Sequence, residues 1–197
     1  MYLYNSLTRS KEYFKPRDDV VSMYVCGITT SGYSHIGHAF SAIVFEVLHR
    51  YLEHIGYKVR RIQNFTDIDD KVIARANNEG LSVDDLAQKY LDAYRDDMEA
   101  LNFLEPTVAP RATEEIFEII NLITGLIECD SAYEANGSVY FRVGTDEDYG
   151  KLSHRTLEEM LQGTRFEPEP GKENPPDFAL WKSSKPDEPA WESPWGP

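Results

Sequence analysis

His35 and His38 lie three residues apart, with Gly37 between them. On a helix, or in its first turn, that spacing puts both imidazoles on one face. The first N–H groups of a helix are unpaired and its dipole favours anions there. Two imidazole donors at such a start suit a phosphate whose charge grows during a reaction. They would act through hydrogen bonding and positioning more than through proton transfer. Gly37 lets a ligand come close to the backbone. On residue type alone, the same pair could be two solvated histidines at a polar helix start.

Cys26 and Thr66 are the other residues able to do chemistry. Cys26 follows the apolar run Val20–Val25 and precedes Gly27. The C-terminal edge of such a strand is where α/β proteins bind ligands. A free cysteine there is either a small buried hydrophobe or a thiolate ligand. Thr66 follows a second apolar run, from Tyr57 to Phe65. It stands beside Cys26 if the two strands are neighbours. Asp69 and Asp70 suit a helix N-terminus, where the dipole favours acids.

The elements that must position these groups are legible around them. Residues 20–26 read as a strand and 27–32 as a loop carrying Gly27, Thr29, Thr30, Ser31 and Gly32. A helix is predicted from near His35 to Gly56. Ala42, Ile43, Phe45, Val47, Leu48, Tyr51, Leu52 and Ile55 form its wide apolar face. Residues 57–65 alternate as a second strand, so the first three elements make a βαβ unit with a parallel pair. A short helix over 68–78 is closed by Gly80. Ser82 with Asp85 resembles a capping box, and the next helix carries Leu86, Tyr90, Tyr94, Met98 and Leu101 on one side. Pro106 and Pro110 break the chain. A further helix presents Ile116, Ile119, Ile120, Ile123 and Ile127 inward. No strong buried strand is expected between Phe65 and a β-hairpin turning at Asn136–Gly137. A short helix near Thr156 to Leu161 and a segment rich in Pro, Glu and Trp follow. The expected division is 1–120 for half of a nucleotide-binding fold and 121–197 for an insertion.

Composition narrows the class. The 197 residues are 41% hydrophobic and 27% charged, as in a globular protein with a real core. No apolar run reaches the roughly 20 residues of a membrane span. The first residues lack the basic and apolar pattern of a secretory signal. The net charge is −14, and no block of Lys or Arg interrupts it, so this segment should not grip nucleic acid tightly alone. Two cysteines, Cys26 and Cys129, argue against a disulfide framework and fit a reducing, cytoplasmic setting. Trp181, Trp191 and Trp195 are read as packing residues rather than a base-stacking surface, because such surfaces also carry positive charge.

His35-Ile36-Gly37-His38 resembles the HIGH signature of class I aminoacyl-tRNA synthetases. With Cys26-Gly27 upstream and Asn64-Phe65-Thr66-Asp67-Ile68-Asp69-Asp70-Lys71 downstream, the chain is similar to the N-terminal half of cysteinyl-tRNA synthetases. The resemblance extends from Tyr4-Asn5-Ser6-Leu7-Thr8 to Asp177-Phe178-Ala179-Leu180-Trp181-Lys182 and Ser193-Pro194-Trp195-Gly196. It departs at Phe40, where the family usually has Arg, and at Glu46, where it usually has Asp.

The resemblance implies an α/β fold: the first half of a class I Rossmann-type catalytic domain, followed by a connective insertion. It implies activation of cysteine with ATP and Mg2+, then transfer to tRNA(Cys). His35, Ile36, Gly37 and His38 would contact ATP, with the two histidines catalytic, while Gly27 and Thr66 would hold the amino acid. Cys26 would be one of four zinc ligands. A soft metal that takes the substrate thiolate rejects serine without an editing site. The family's other three ligands and its lysine-rich loop match nothing in these residues, so the chain alone is expected to be inactive or nearly so. Two alternatives stay open: a related ligase of the mycothiol pathway, which adenylates cysteine and passes it to an amino sugar, and a non-catalytic nucleotide-binding fragment.

Overall fold

The computed structural model describes residues 1–163, 171–186 and 188–197. The chain divides into two compact units, Lys15–Ile116 and a unit made of Met1–Phe14 with Phe117–Pro197. The N-terminal hairpin thus groups with the C-terminal residues.

The Lys15–Ile116 unit holds the βαβ element. Strand β3 (Val20–Val25) pairs in parallel with β4 (Lys58–Gln63), from Val20 opposite Lys58 to Val25 opposite Gln63. Helix α1 (Ile36–His54) makes the crossover. Gly56 lies just past its end at φ 97°, a conformation that favours glycine. Helices α2 (Asp70–Glu79) and α3 (Val83–Ala100) follow and pack on each other. The Asp69 carboxylate accepts from the Val72 N–H and caps α2. Gly80 closes α2 in the left-handed region at φ 66°. Ser82 caps α3 by accepting from the Asp85 N–H, as read from sequence.

One strand-like segment was not expected. Val108 and Arg111 bridge in parallel to Ile62 and Phe65, on the edge of β4 away from β3. Gln63 donates to the Val108 carbonyl and Phe65 to that of Pro110. Pro110 has no N–H to return, so the ladder breaks into two bridges. Two prolines that read as breakers hide a third parallel segment.

The core has two parts. Phe65, Leu91, Tyr94 and Met98 gather Ile28, Ala39, Ala42, Phe103 and Ala109 around them. Val72, Ala76, Leu86 and Tyr90 join α2 to α3. Helix α1 departs from expectation. Leu52 is fully buried, but Ile43, Val47, Tyr51 and Ile55 are exposed, and so are Phe40 and Val44. Its buried stripe is Glu46, His49 and Leu52. The small sheet covers one side of the helix, and among the described residues the rest of its wide apolar face stays exposed. The β3 strand is likewise only half buried, through Val21 and Val25.

The other unit has a hairpin of β1 (Tyr2–Asn5) and β2 (Ser10–Tyr13), helix α4 (Ile116–Glu128), and a three-stranded antiparallel sheet. In that sheet β5 (Ala132–Ala135) and β6 (Ser138–Phe141) are joined by the Asn136–Gly137 turn, both residues at positive φ as a type I′ turn requires. Strand β7 (Phe178–Trp181), which the sequence reading did not anticipate, adds to β6. The buried Asp177 accepts from the Tyr133 hydroxyl and the Val143 N–H, tying the sheet to the segment before β7. Burial pushes the Tyr133 phenol up to about 12. Trp181 and Trp195 pack edge to face at 6.0 Å. Helix α5 (Leu157–Gly163) falls where a short helix was expected.

Candidate functional site

The site residues gather where β3 and β4 end. Regular pairing stops at Val25 opposite Gln63 and resumes at Thr29 opposite Thr66. One strand therefore spends four residues where the other spends three, a bulge that contains Cys26 and Gly27. Bulges re-aim side chains beside functional sites. Beyond it the strands rejoin: Thr66 donates to the Ile28 carbonyl, and Thr30 donates its N–H to the Thr66 carbonyl. Thr30 is fully buried.

Inside the bulge, the Gly27 N–H finds no strand carbonyl. It donates instead to the Asn64 side-chain oxygen at 2.9 Å, which also accepts the Tyr24 hydroxyl at 2.9 Å. Gly27 is pressed against the facing strand: a Cβ there would lie 1.4 Å from the Asn64 carbonyl oxygen. No other residue type fits without moving a strand. Cys26, between these anchored residues, is an exposed free thiol, which removes the reading of a buried hydrophobe.

The loop before α1 is held from the side. Arg75 donates to the Ser31 carbonyl at 2.8 Å, stacks over Tyr90, and pairs with Glu79. Tyr33 packs edge to face on Tyr90 at 5.0 Å.

His35 is the N-cap of α1, with extended backbone. Its Nδ1 accepts from the Gly37 N–H at 3.1 Å, and the His38 Nδ1 accepts from the His35 N–H at 3.2 Å. The rings stack with centroids 3.9 Å apart. An Nδ1 that accepts carries no proton, so each neutral ring holds its proton on Nε2. The caps thus fix both tautomers and leave an Nε2–H donor on each ring for a ligand. Partial burial, then the neighbouring His35, pushes His38 below the ordinary histidine value and favours that neutral form. No acidic residue stands in the first turn of α1, so that turn does not oppose an anion. A Cβ at Gly37 would come within 2.9 Å of the His35 ring.

The structure therefore brings Cys26, Gly27 and Thr66 to one strand edge and His35, Ile36, Gly37 and His38 to the helix start that follows. Ile36 is exposed. The sequence reading missed Asn64, Thr30 and Arg75. Asn64 had two visible signals: it opens the Asn64–Lys71 stretch that carries the family resemblance, and it is an amide inside the predicted strand, two residues before Thr66.

Among the described residues no group of three or more His, Cys, Asp or Glu side chains converges, at Cys26 or elsewhere. These residues do not by themselves form a zinc centre. A cavity of about 600 Å³ lies under α1, lined by Val25, Phe45, Gln63, Tyr94, Met98 and Phe103 among others. None of the site residues lines it. Among the described residues no helix is long and apolar enough to cross a membrane.

Residues 13–197 match the family described as tRNA synthetases class I (C) catalytic domain. The Cysteine–tRNA ligase of Dehalococcoides mccartyi is 55% identical over 197 residues, all of this chain and 43% of that protein. The Cysteine–tRNA ligase of Thermococcus kodakarensis is 54% identical over 195 residues, 98% of this chain and 41% of that protein. The chain spans about two fifths of the length of these relatives. Among solved structures, Mycobacterium tuberculosis methionyl-tRNA synthetase in complex with methionyl-adenylate aligns with a TM-score of 0.54. It is 23% identical and covers 63% of this chain and 25% of its own, a likeness of fold alone.

Proposed function

This chain belongs to the class I (C) tRNA synthetase catalytic-domain family, and we propose that it is the N-terminal part of a cytoplasmic cysteine–tRNA ligase. The reaction is attack of the cysteine carboxylate oxygen on the α-phosphorus of Mg2+–ATP. The new O–P bond gives cysteinyl-adenylate as the bond to pyrophosphate breaks. Transfer of the cysteinyl group to tRNA(Cys) follows, releasing AMP.

In this reading His35 and His38 are the catalytic pair. Their Nε2–H groups hydrogen-bond phosphate oxygens more strongly as charge gathers in the transition state. Because the caps already orient both rings, little reorganisation is needed at that moment. The Ile36–Gly37–His38 backbone, at the start of the helix, receives the nucleotide. Gly27 and Thr66, at the strand edge, hold the amino acid. Cys26 is the one proposed metal ligand of this chain. Zinc, when bound, would take the substrate thiolate, with Cys26 as this chain's ligand to it.

The observation that supports the reading most is the stacked histidine pair with both Nδ1 atoms spent on backbone N–H groups. The test is ATP–pyrophosphate exchange by the full-length protein. Exchange that depends on cysteine and not on serine supports the reading; exchange with neither amino acid refutes it.

A further inference from the structure

We propose that Asn64 is a positioning residue of this site, setting the direction of Cys26 and Gly27 by standing in for a strand carbonyl. The bulge leaves the Gly27 N–H facing β4 with no backbone acceptor in register. The Asn64 side-chain oxygen takes that N–H at 2.9 Å and the Tyr24 hydroxyl at 2.9 Å. These contacts lie on either side of Cys26 in the chain, so one amide grips the residues flanking the thiol. The amide orientation is settled by chemistry. A backbone N–H can only donate, so the atom facing Gly27 is the oxygen. The Asn64 backbone grips as well, since its carbonyl oxygen occupies the space a Gly27 Cβ would need. Alanine at 64 would keep the strand and lose the side-chain grip. Aspartate would keep the acceptor.

The assignment deepens the proposed amino-acid site and rests on that reading for its kinetic consequence. Its physical core is tested without it. In the intact protein, hydrogen exchange at the Gly27 amide is followed by mass spectrometry with single-residue fragmentation. Asn64→Ala should accelerate that exchange about tenfold, the loss of one hydrogen bond, and Asn64→Asp should preserve the protection. In full-length protein, Asn64→Ala should raise the KM for cysteine about tenfold and leave the KM for ATP unchanged, because the nucleotide groups sit on α1. Unchanged Gly27 exchange in Asn64→Ala overturns the proposal. So does an equal rise in both KM values, which marks general destabilisation. If wild-type protein shows no cysteine-dependent exchange of pyrophosphate, the functional reading fails while the Gly27 measurement still decides the role of Asn64.

Discussion

Glu46 and Arg61 meet inside the Lys15–Ile116 unit, Oε2 to Nη1 at 2.8 Å, each only 4% exposed. Glu46 also accepts from Arg50 at 2.6 Å and from the Leu104 N–H at 3.0 Å, while Arg61 donates to the Leu104 carbonyl. The pair ties α1, which carries both histidines, to β4 and to the turn after α3. Burial alone would raise the Glu46 carboxyl, but the Leu104 N–H and the two arginines outweigh it and hold it below the usual carboxylate value. Glu46→Ala leaves Arg61 buried without its counter-ion, so denaturant unfolding should show a loss of about 3–5 kcal/mol. The folded-state value lies below the unfolded one, so this contribution is present above the unfolded carboxylate value and is lost as pH falls through the folded value.

Gly27→Ala must part the strands at the bulge, because the new methyl would overlap the Asn64 carbonyl. Overpacking of this kind costs about 1–3 kcal/mol. The same change should abolish protection of the Thr30 and Thr66 amides, which close the bulge. Thermal unfolding and hydrogen exchange check both.

How much of this was legible in the sequence depended on whether the signal was local. The parallel βαβ unit, the acidic start of α2 at Asp69 and Asp70, the Ser82 cap, and the Asn136–Gly137 hairpin each follow from local pattern. The histidine pair was legible for the same reason: both rings belong to one helix turn. The third parallel segment was not, because Pro106 and Pro110 remove donors that a strand pattern requires, and only the pairing with Ile62 and Phe65 reveals it. The apolar face of α1 was visible as a pattern, but a pattern does not say what covers it, and Ile43 and Val47 are exposed. Asn64 escaped because its partners, Tyr24 and Gly27, lie some forty residues away.

His38 should titrate below the ordinary histidine value of about 6.5, since burial and His35 both disfavour its charged form. The unfolded chain binds the extra proton more readily. The contribution is therefore full above the unfolded value and declines as pH falls toward the folded one. NMR of the ring carbons across pH measures the midpoint, and the nitrogen shifts should report the Nε2–H tautomer.

Glu79 joins Arg75, Lys89 and the Tyr90 hydroxyl at the α2–α3 hairpin. The Arg75 and Lys89 hydrogen bonds hold its carboxyl down at about 2. The hairpin should keep this contribution above about pH 4.5 and lose it as pH falls toward 2. Added salt should weaken the effect, because the cluster is partly solvated. Circular dichroism at 222 nm during acid titration of Glu79→Gln and wild type, at low and high salt, separates them.

The most direct test of the account is cysteine-dependent ATP–pyrophosphate exchange by full-length protein carrying His38→Ala, beside wild type. The account predicts that wild type exchanges, and that the variant loses about a hundredfold or more in kcat with little change in the KM for ATP. Exchange at the wild-type rate in the variant would contradict the role given to the stacked histidines.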